Sequence, residues 1–114
     1  MRDTSLTHRA DMVMRVNGNS MEPTFHDGDM VLIQKVSGRN DCRTGDIIAF
    51  TADNMSYIKE FHKNGFYSHN PEYRPMYFKD YETVYCIGRV IGILEDGDLA
   101  TAEEINEVQK EEKQ

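Results

Sequence analysis

Apolar runs of strand length, separated by turn residues, recur along most of the chain. The runs are rich in branched and aromatic side chains, and no helical periodicity lies between them. They predict strands at residues 12–16, 30–36, 47–51, 57–61, 66–68 and 84–94. Short strands at this close spacing, without intervening helices, predict an all-β domain.

Glycines indicate where these strands turn or bend. The pair Asn64-Gly65 has the preference of a type I′ turn and predicts a hairpin at that point. Gly88 and Gly92 interrupt the long last run, and we expect bends or bulges beside them.

The two ends of the chain differ from its middle. Residues 1–11 are polar and without periodicity, so we expect a flexible lead-in to a domain at residues 12–94. Residues 95–114 are acidic, and Thr101 with Glu104 forms a capping box that predicts a short helix. A helix this short, with few apolar residues, is marginal by itself.

The length of 114 residues fits one domain with a modest core. No apolar run approaches the roughly 20 residues that span a bilayer, and no secretory signal is present, so we expect a cytoplasmic protein with no membrane partner. Cys42 and Cys86 are then expected to be reduced thiols. Scattered histidines and the absence of paired Cys or His spacings predict no metal site and no cofactor.

The net charge of −7 is unevenly distributed. Residues 1–94 hold 11 Lys/Arg and 12 Asp/Glu, whereas residues 95–114 hold 2 and 8. Neither part offers the basic face that phosphate binding requires. We therefore do not expect this chain to bind DNA by itself.

Ser20 and Lys59 are the candidate catalytic residues. A serine hydroxyl needs a base to take its proton, and a lysine can be that base if burial keeps its amine neutral. Ser20 follows a predicted strand, where a sharp turn would expose its hydroxyl, and Lys59 lies within another strand between Ile58 and Phe61. The alternative is ordinary: a serine that only closes a turn, and a lysine whose amine points to solvent.

Strand geometry makes the pairing specific. We expect Ser20 to end one strand and Lys59 to lie inside a neighbouring strand, so that cross-strand adjacency brings the two side chains within hydrogen-bond reach. Alternation of side chains places Lys59 on the face of Tyr57 and Phe61, whose rings would exclude water from the amine, and places Glu60 on the opposite face. His62 is either a second polar group at the cleft or a solvated histidine after the strand.

Ordered blocks along the chain resemble one known family. The run at residues 16–25, which contains Ser20-Met21-Glu22-Pro23, resembles the self-cleaving peptidase domain of LexA-like and phage-type repressors, which is related to type I signal peptidases. Further similar blocks follow in the same order at residues 28–33, 45–50, 58–60, 70–75 and 88–92. The block at residues 70–75 is similar to that family's Asn-Pro-x-Tyr-x-Pro segment.

The resemblance implies a fold of several coiled antiparallel sheets and a serine peptidase with a Ser-Lys dyad. It implies Ser20 as nucleophile and Lys59 as general base. Independently of the resemblance, backbone N–H groups around Ser20 and Met21 are placed to donate to the oxyanion, and Met21 and Asn19 are the candidate oxyanion- and substrate-binding residues. The substrate implied is the protein's own upstream linker, bound as an added strand and cut at Ala-Gly or Cys-Gly. The chain contains neither dipeptide.

The resemblance also implies partners. These are a second copy of the chain in a homodimer, a RecA-type filament as co-protease in the SOS response, and DNA only through a helix-turn-helix domain that this chain lacks. For the dimer, the long apolar run at residues 84–94 is either an exposed edge that pairs with another chain or a central strand buried in its own sheet. Two other functions stay open: a catalytically idle dimerisation module, and a signal-peptidase-like protease that acts in trans.

Overall fold

The computed structural model describes residues 9–94, and these form a mainly β fold as predicted. The predicted tail helix and most of the predicted lead-in lie outside the described residues. Two short 3-10 turns occupy Arg39–Asp41 and Phe78–Asp80. The strands are β1 (Met12–Arg15), β2 (Met30–Lys35), β3 (Ile47–Ala52), β4 (Met55–His62), β5 (Gly65–Tyr67), β6 (Met76–Tyr77) and β7 (Val84–Ile93).

All seven strands belong to one antiparallel sheet rather than to several sheets. The strand order is β1-β2-β7-β3-β4-β5-β6. β7 therefore pairs with β2 on one side and with β3 on the other. Of the two alternatives for the long apolar run, the central strand is correct and the exposed edge is wrong.

Two bulges bend the central strand. The pairing of β7 shifts by one residue between Leu32 and Ile33 of β2, and again between Ala49 and Phe50 of β3. These shifts lie beside Gly92 and Gly88, as predicted. A Cβ on Gly88 would lie 2.4 Å from Ile33 Cγ2, so only glycine lets β2 approach this closely. Bulges increase the local twist, and here they favour a strongly coiled sheet.

The β4–β5 hairpin is present, but its turn differs from the prediction. Gly65 pairs with His62 as a strand residue, so the turn consists of residues 63–64. A Cβ on Gly65 would lie 2.2 Å from the carbonyl oxygen of Met76, which explains the glycine by the close approach of β6. The left-handed residue pair is Asp53-Asn54, with φ of 49° and 76°, and it joins β3 to β4.

The core lies on both sides of β3. Ile48, Phe50 and Ala52 face one buried cluster, and Ala49 faces the other. The first cluster also holds Cys42, Phe61, Phe66, Met76 and Cys86. The second also holds Val16, Met21, Phe25, Val31 and Ile33. β3 is thus buried on both faces and lies between the two core clusters.

Both cysteines are free thiols within the first cluster. Burial, with a smaller contribution from Cys86, raises the pKa of Cys42 from 9.0 to about 12. Burial also raises the pKa of Cys86. A thiolate is the reactive form, so both residues are chemically protected.

We therefore expect neither thiol to react with a disulfide reagent in the folded protein near neutral pH. The raised pKa alone lowers the thiolate fraction of Cys42 about 1,000-fold relative to a thiol of pKa 9.0. Timed labelling with 5,5′-dithiobis(2-nitrobenzoate), with and without denaturant, measures this. Rapid labelling of both thiols without denaturant would contradict the placement of Cys42 and Cys86.

Candidate active site

Ser20 lies in a compact turn that follows β1. The turn closes through hydrogen bonds from the amides of Thr24 and Phe25 to the Met21 carbonyl, at 2.8 and 3.0 Å. Met21 and Phe25 are 1% and 6% exposed, and both pack in the second core cluster. These two side chains anchor the turn, which we name the nucleophile loop (residues 17–25), and Ser20 is presented at its start.

Lys59 is buried next to Ser20. It lies within β4 opposite Ile48 of β3, and it is 6% exposed. Its Nζ lies 3.1 Å from Ser20 Oγ and 2.7 Å from Ser68 Oγ, and it donates a hydrogen bond to each. No carboxylate lies within 4.0 Å of Nζ among residues 9–94. The amine is thus held by two hydroxyl groups rather than by an ion pair.

Aromatic rings cover the amine of Lys59. Nζ lies 5.8 Å from the ring centre of Tyr57 and 5.6 Å from that of Tyr73. These distances are near the outer limit of a cation–π contact, so we attribute to the rings mainly the exclusion of water. Phe61, expected beside the amine, packs edge-on against Phe66 in the core. Burial lowers the pKa of Lys59 below its usual value.

Ser20 lies in the loop after β1 rather than at the end of a strand, and β1 and β4 are not neighbours in the sheet, so the predicted cross-strand adjacency is wrong. β2, β7 and β3 lie between β1 and β4. Residues of β1 and β4 nevertheless line one cleft that contains both side chains. The coiling of the sheet, not direct strand pairing, brings the two residues together.

The part of the cleft between β1 and β4 has a volume of about 110 Å³ and is lined by apolar side chains, such as Met14 and Ile58, and by polar ones, such as Ser56 and Lys59. β1 pairs with β2 alone among residues 9–94, and β5 pairs with β4 at residues 60–62 only. The backbone edges of β1 and of the first half of β4 therefore face the cleft unpaired. An open groove of about 380 Å³ continues beyond the Ser20–Lys59 pair.

The backbone amides of Ser20 and Met21 differ from the neighbouring Asn19 in their hydrogen bonds. Within residues 9–94, no protein acceptor contacts the amides of Ser20 and Met21. Asn19 is occupied differently: its carbonyl accepts from the Asn70 side chain at 3.0 Å, and its own side chain accepts from Tyr73 at 2.6 Å. Asn19 thus has a structural use inside the loop, whereas the next two amides have no protein acceptor in the described part of the chain.

Glu60 points away from Lys59, as predicted, and binds two histidines. His62 Nε2 lies 2.8 Å from one carboxylate oxygen, and His69 Nε2 lies 2.7 Å from the other. Partial burial raises the pKa of Glu60, but hydrogen bonds and charge from His69 and His62 outweigh it and leave the pKa lowered. His62 is therefore neither a cleft residue nor simply solvated. The other ring nitrogen of His69, Nδ1, contacts the hydroxyl of Thr24 in the nucleophile loop.

Four contacting residues were not singled out from the sequence: Ser68, His69, Asn70 and Tyr73. The last two belong to the Asn-Pro-x-Tyr-x-Pro block, which was a signal for their importance but not for their contacts. No group of three metal-ligating side chains converges anywhere in residues 9–94. In the same part of the chain, no helix is long and apolar enough to cross a membrane.

Comparison with known proteins identifies the family of the chain. A family model described as peptidase S24-like matches residues 1–91. The chain belongs to the peptidase S24-like family. This membership confirms the resemblance to the peptidase domain of LexA-like and phage-type repressors, and it identifies a serine-peptidase-like domain. Comparison with curated protein sequences found no match.

The lowered pKa of Lys59 makes stability depend on pH in a defined direction. Between the folded pKa and 10.5, the unfolded chain binds a proton that the folded chain does not, so stability rises with pH in that window. Lys59→Met has no such proton. We therefore expect its free energy of unfolding to fall relative to that of the parent as pH rises toward 10.5. Urea unfolding at a series of pH values from neutral to alkaline measures the difference.

The matched control is Lys63→Met, which removes an exposed lysine from the turn between β4 and β5. It reports the general effect of losing one positive charge. For each variant, the difference in free energy of unfolding from the parent is followed with pH. If this difference changed with pH in the same way for Lys59→Met and for Lys63→Met, the burial of a titrating amine at position 59 would be contradicted.

Proposed function

We propose that this chain is the C-terminal peptidase and dimerisation domain of a LexA- or phage-type transcriptional repressor. In this proposal it cleaves its own upstream linker with a Ser20–Lys59 dyad. The observation that carries the proposal is the buried Lys59 Nζ, 3.1 Å from Ser20 Oγ at the cleft. A lysine held by two hydroxyls and away from carboxylates suits a base better than a structural ion pair does.

The first step is acyl transfer to the serine. The neutral amine of Lys59 donates an N–H to Ser68 Oγ, which directs its lone pair toward the hydroxyl of Ser20. As Ser20 Oγ attacks the scissile carbonyl carbon, Nζ takes the hydroxyl proton and becomes an ammonium group. The intermediate collapses, the C–N bond breaks, and the ammonium returns the proton to the leaving amine.

The second step is hydrolysis of the acyl-enzyme. Lys59, neutral again, takes a proton from water as the water oxygen attacks the ester carbonyl. The intermediate collapses, the bond from the carbonyl carbon to Ser20 Oγ breaks, and the Lys59 ammonium returns the proton to Ser20 Oγ. Both steps pass through an oxyanion. The open amides of Ser20 and Met21 are the groups that would donate to it, and preorganised donors of this kind stabilise the transition state strongly.

The shape of the cleft supports an extended substrate. Unpaired edges of β1 and β4 on its two sides offer backbone donors and acceptors to an added strand. The proposed substrate is the repressor's own linker, with an Ala-Gly or Cys-Gly bond. DNA would be bound through a separate N-terminal domain, and a RecA-type filament is the proposed co-protease.

To test the proposal, a linker with an Ala-Gly bond is fused to the N terminus of this chain. We expect the fusion to cleave itself, with a first-order rate that rises with pH through the folded pKa of Lys59 and then levels off, because the base must be neutral. Ser20→Ala and Lys59→Ala should each lower the rate by about 10⁴-fold or more. Gel electrophoresis and mass spectrometry give the rate and the bond cut.

Circular dichroism of both variants checks that the fold is intact. Cleavage by Lys59→Ala at the parent rate would refute the assignment of the base. Cleavage of an added peptide but not of the fused linker would favour a protease that acts in trans. A folded parent that cleaves neither substrate at any pH would leave the idle dimerisation module as the function.

Self-association is the second part of the proposal. Because β7 is a central strand, the dimer contact cannot be edge-to-edge pairing through β7, and family membership is the warrant for the dimer. We expect analytical ultracentrifugation at tens of micromolar to show a species of twice 13.2 kDa in moderate salt. Low salt should weaken the dimer, because the repulsion between the two acidic tails (residues 95–114) is then less screened. A monomer at every concentration and salt would contradict the dimer.

A further inference from the structure

The segment that follows β5, Ser68 to Tyr73, contacts both members of the proposed dyad. On the side of the base, Ser68 Oγ accepts from Lys59 Nζ at 2.7 Å. On the side of the nucleophile, the backbone amide of Asn70 donates to the carbonyl of Ser20 itself at 2.9 Å. We name this segment the 68–73 brace, since it spans the two reacting groups.

Two further contacts from the brace hold the residue before the nucleophile. The Asn70 side chain donates to the Asn19 carbonyl at 3.0 Å, and the Tyr73 hydroxyl donates to the Asn19 side chain at 2.6 Å. Asn19 and Ser20 have no strand pairing of their own. Besides the buried Met21 and Phe25 anchors, local hydrogen bonds also hold this stretch, from the Glu22 amide to the Asn19 carbonyl at 3.3 Å and from the Gly18 amide to Asp27 at 2.7 Å. The bonds from Asn70 and Tyr73 are those that tie Asn19 and Ser20 to another part of the chain.

His69 ties the far end of the nucleophile loop to β4. Its Nδ1 contacts Thr24, and its Nε2 bonds Glu60, the residue next to Lys59 in the same strand. The side chains of His69 and Glu60 are 25% and 26% exposed, so their bond is partly buried, whereas the Thr24–His69 contact lies at the surface. The link makes the loop and the lysine-bearing strand one unit, although three strands separate β1 from β4 in the sheet.

Such bracing matters because proton transfer depends steeply on position. A displacement of about 1 Å at a reacting group can lower a rate by about 100-fold. The Ser20–Lys59 distance of 3.1 Å is set across a coiled sheet, where small changes in curvature accumulate. Direct contacts between the nucleophile loop and β4 make the Ser20–Lys59 distance independent of these changes in curvature.

We propose that the 68–73 brace positions the nucleophile: Tyr73 and Asn70 hold Asn19 and Ser20, and His69 couples the loop to Glu60 of β4. These are positioning residues, which act through Ser20 rather than on the substrate. The inference rests on the proposed peptidase function for its effect on rate, but the holding of the loop can be measured without any cleavage.

The first test uses a pair of tyrosine variants in the fused Ala-Gly protein. Tyr73→Phe removes the hydroxyl that holds Asn19 and keeps the ring beside Lys59. Tyr67→Phe is the matched control, because it removes a tyrosine hydroxyl bonded to Asn64 in the neighbouring hairpin. We expect Tyr73→Phe to lower the plateau of the pH–rate profile by about 10-fold or more without moving its midpoint. The control should cleave as the parent does.

The second test uses the two histidines bound to Glu60. His69→Ala breaks the link to the nucleophile loop, whereas His62→Ala removes the other imidazole and leaves the link intact. We expect His69→Ala to lower the plateau rate and His62→Ala to change it little. His69→Gln, whose amide can still donate to Glu60, should restore part of the loss. Urea unfolding of each variant separates this effect from a general loss of stability.

Hydrogen exchange of peptides covering the nucleophile loop gives a readout that needs no activity. We expect faster exchange at residues 17–25 in Tyr73→Phe and His69→Ala, with unchanged exchange at residues 47–52 of β3. Parent-like loop exchange in both variants would overturn the inference, as would faster exchange with an unchanged cleavage rate. If the parent itself never cleaves, the peptidase proposal fails, and loop exchange alone decides whether the brace holds Ser20.

Discussion

The coiling of one sheet brings Ser20 and Lys59 to the same cleft, where direct contacts of residues 68–73 then hold them. Ser20 follows β1, which three other strands separate from the β4 strand of Lys59, so a flat sheet would hold the two side chains far apart. Two bulges in the central strand β7, beside Gly88 and Gly92, bend the sheet enough for β1 and β4 to line the same cleft. The reactive geometry is thus a property of the whole sheet rather than of any strand pair.

Burial of Lys59 has a cost for the fold and a use for the chemistry. A charged amine among apolar and aromatic groups opposes folding, and the two serine hydroxyls offset only part of that. The core compensates: full burial of a side chain such as Met21 or Phe25 contributes about 1.5–3 kcal/mol. These same residues anchor the nucleophile loop, so stability and the position of Ser20 come from the same contacts.

The strand positions and the two central residues could be predicted from the sequence, for different reasons. Branched and aromatic runs mark β1 to β5 and β7, while β6 has two residues and follows Pro75, too short for any pattern. Ser20 and Lys59 were found through motif blocks, not through periodicity. The contact of Lys59 with Ser68 follows from the register of the β4–β5 hairpin, in which Glu60 pairs with Tyr67. Contacts such as Tyr73 with Asn19 could not be predicted, because they depend on the strand order and on the coiling of the sheet.

The most direct test of this account is the titration of the Lys59 amine itself. NMR of the protein labelled with ¹³C and ¹⁵N on lysine follows each side chain with pH, and Lys59→Met identifies the Lys59 signal by its loss. The account predicts a midpoint for Lys59 below 10.5, because burial between β4, the aromatic rings and the nucleophile loop disfavours the charged amine. A midpoint at or above 10.5 would show a solvated or ion-paired lysine and would contradict its assignment as the base.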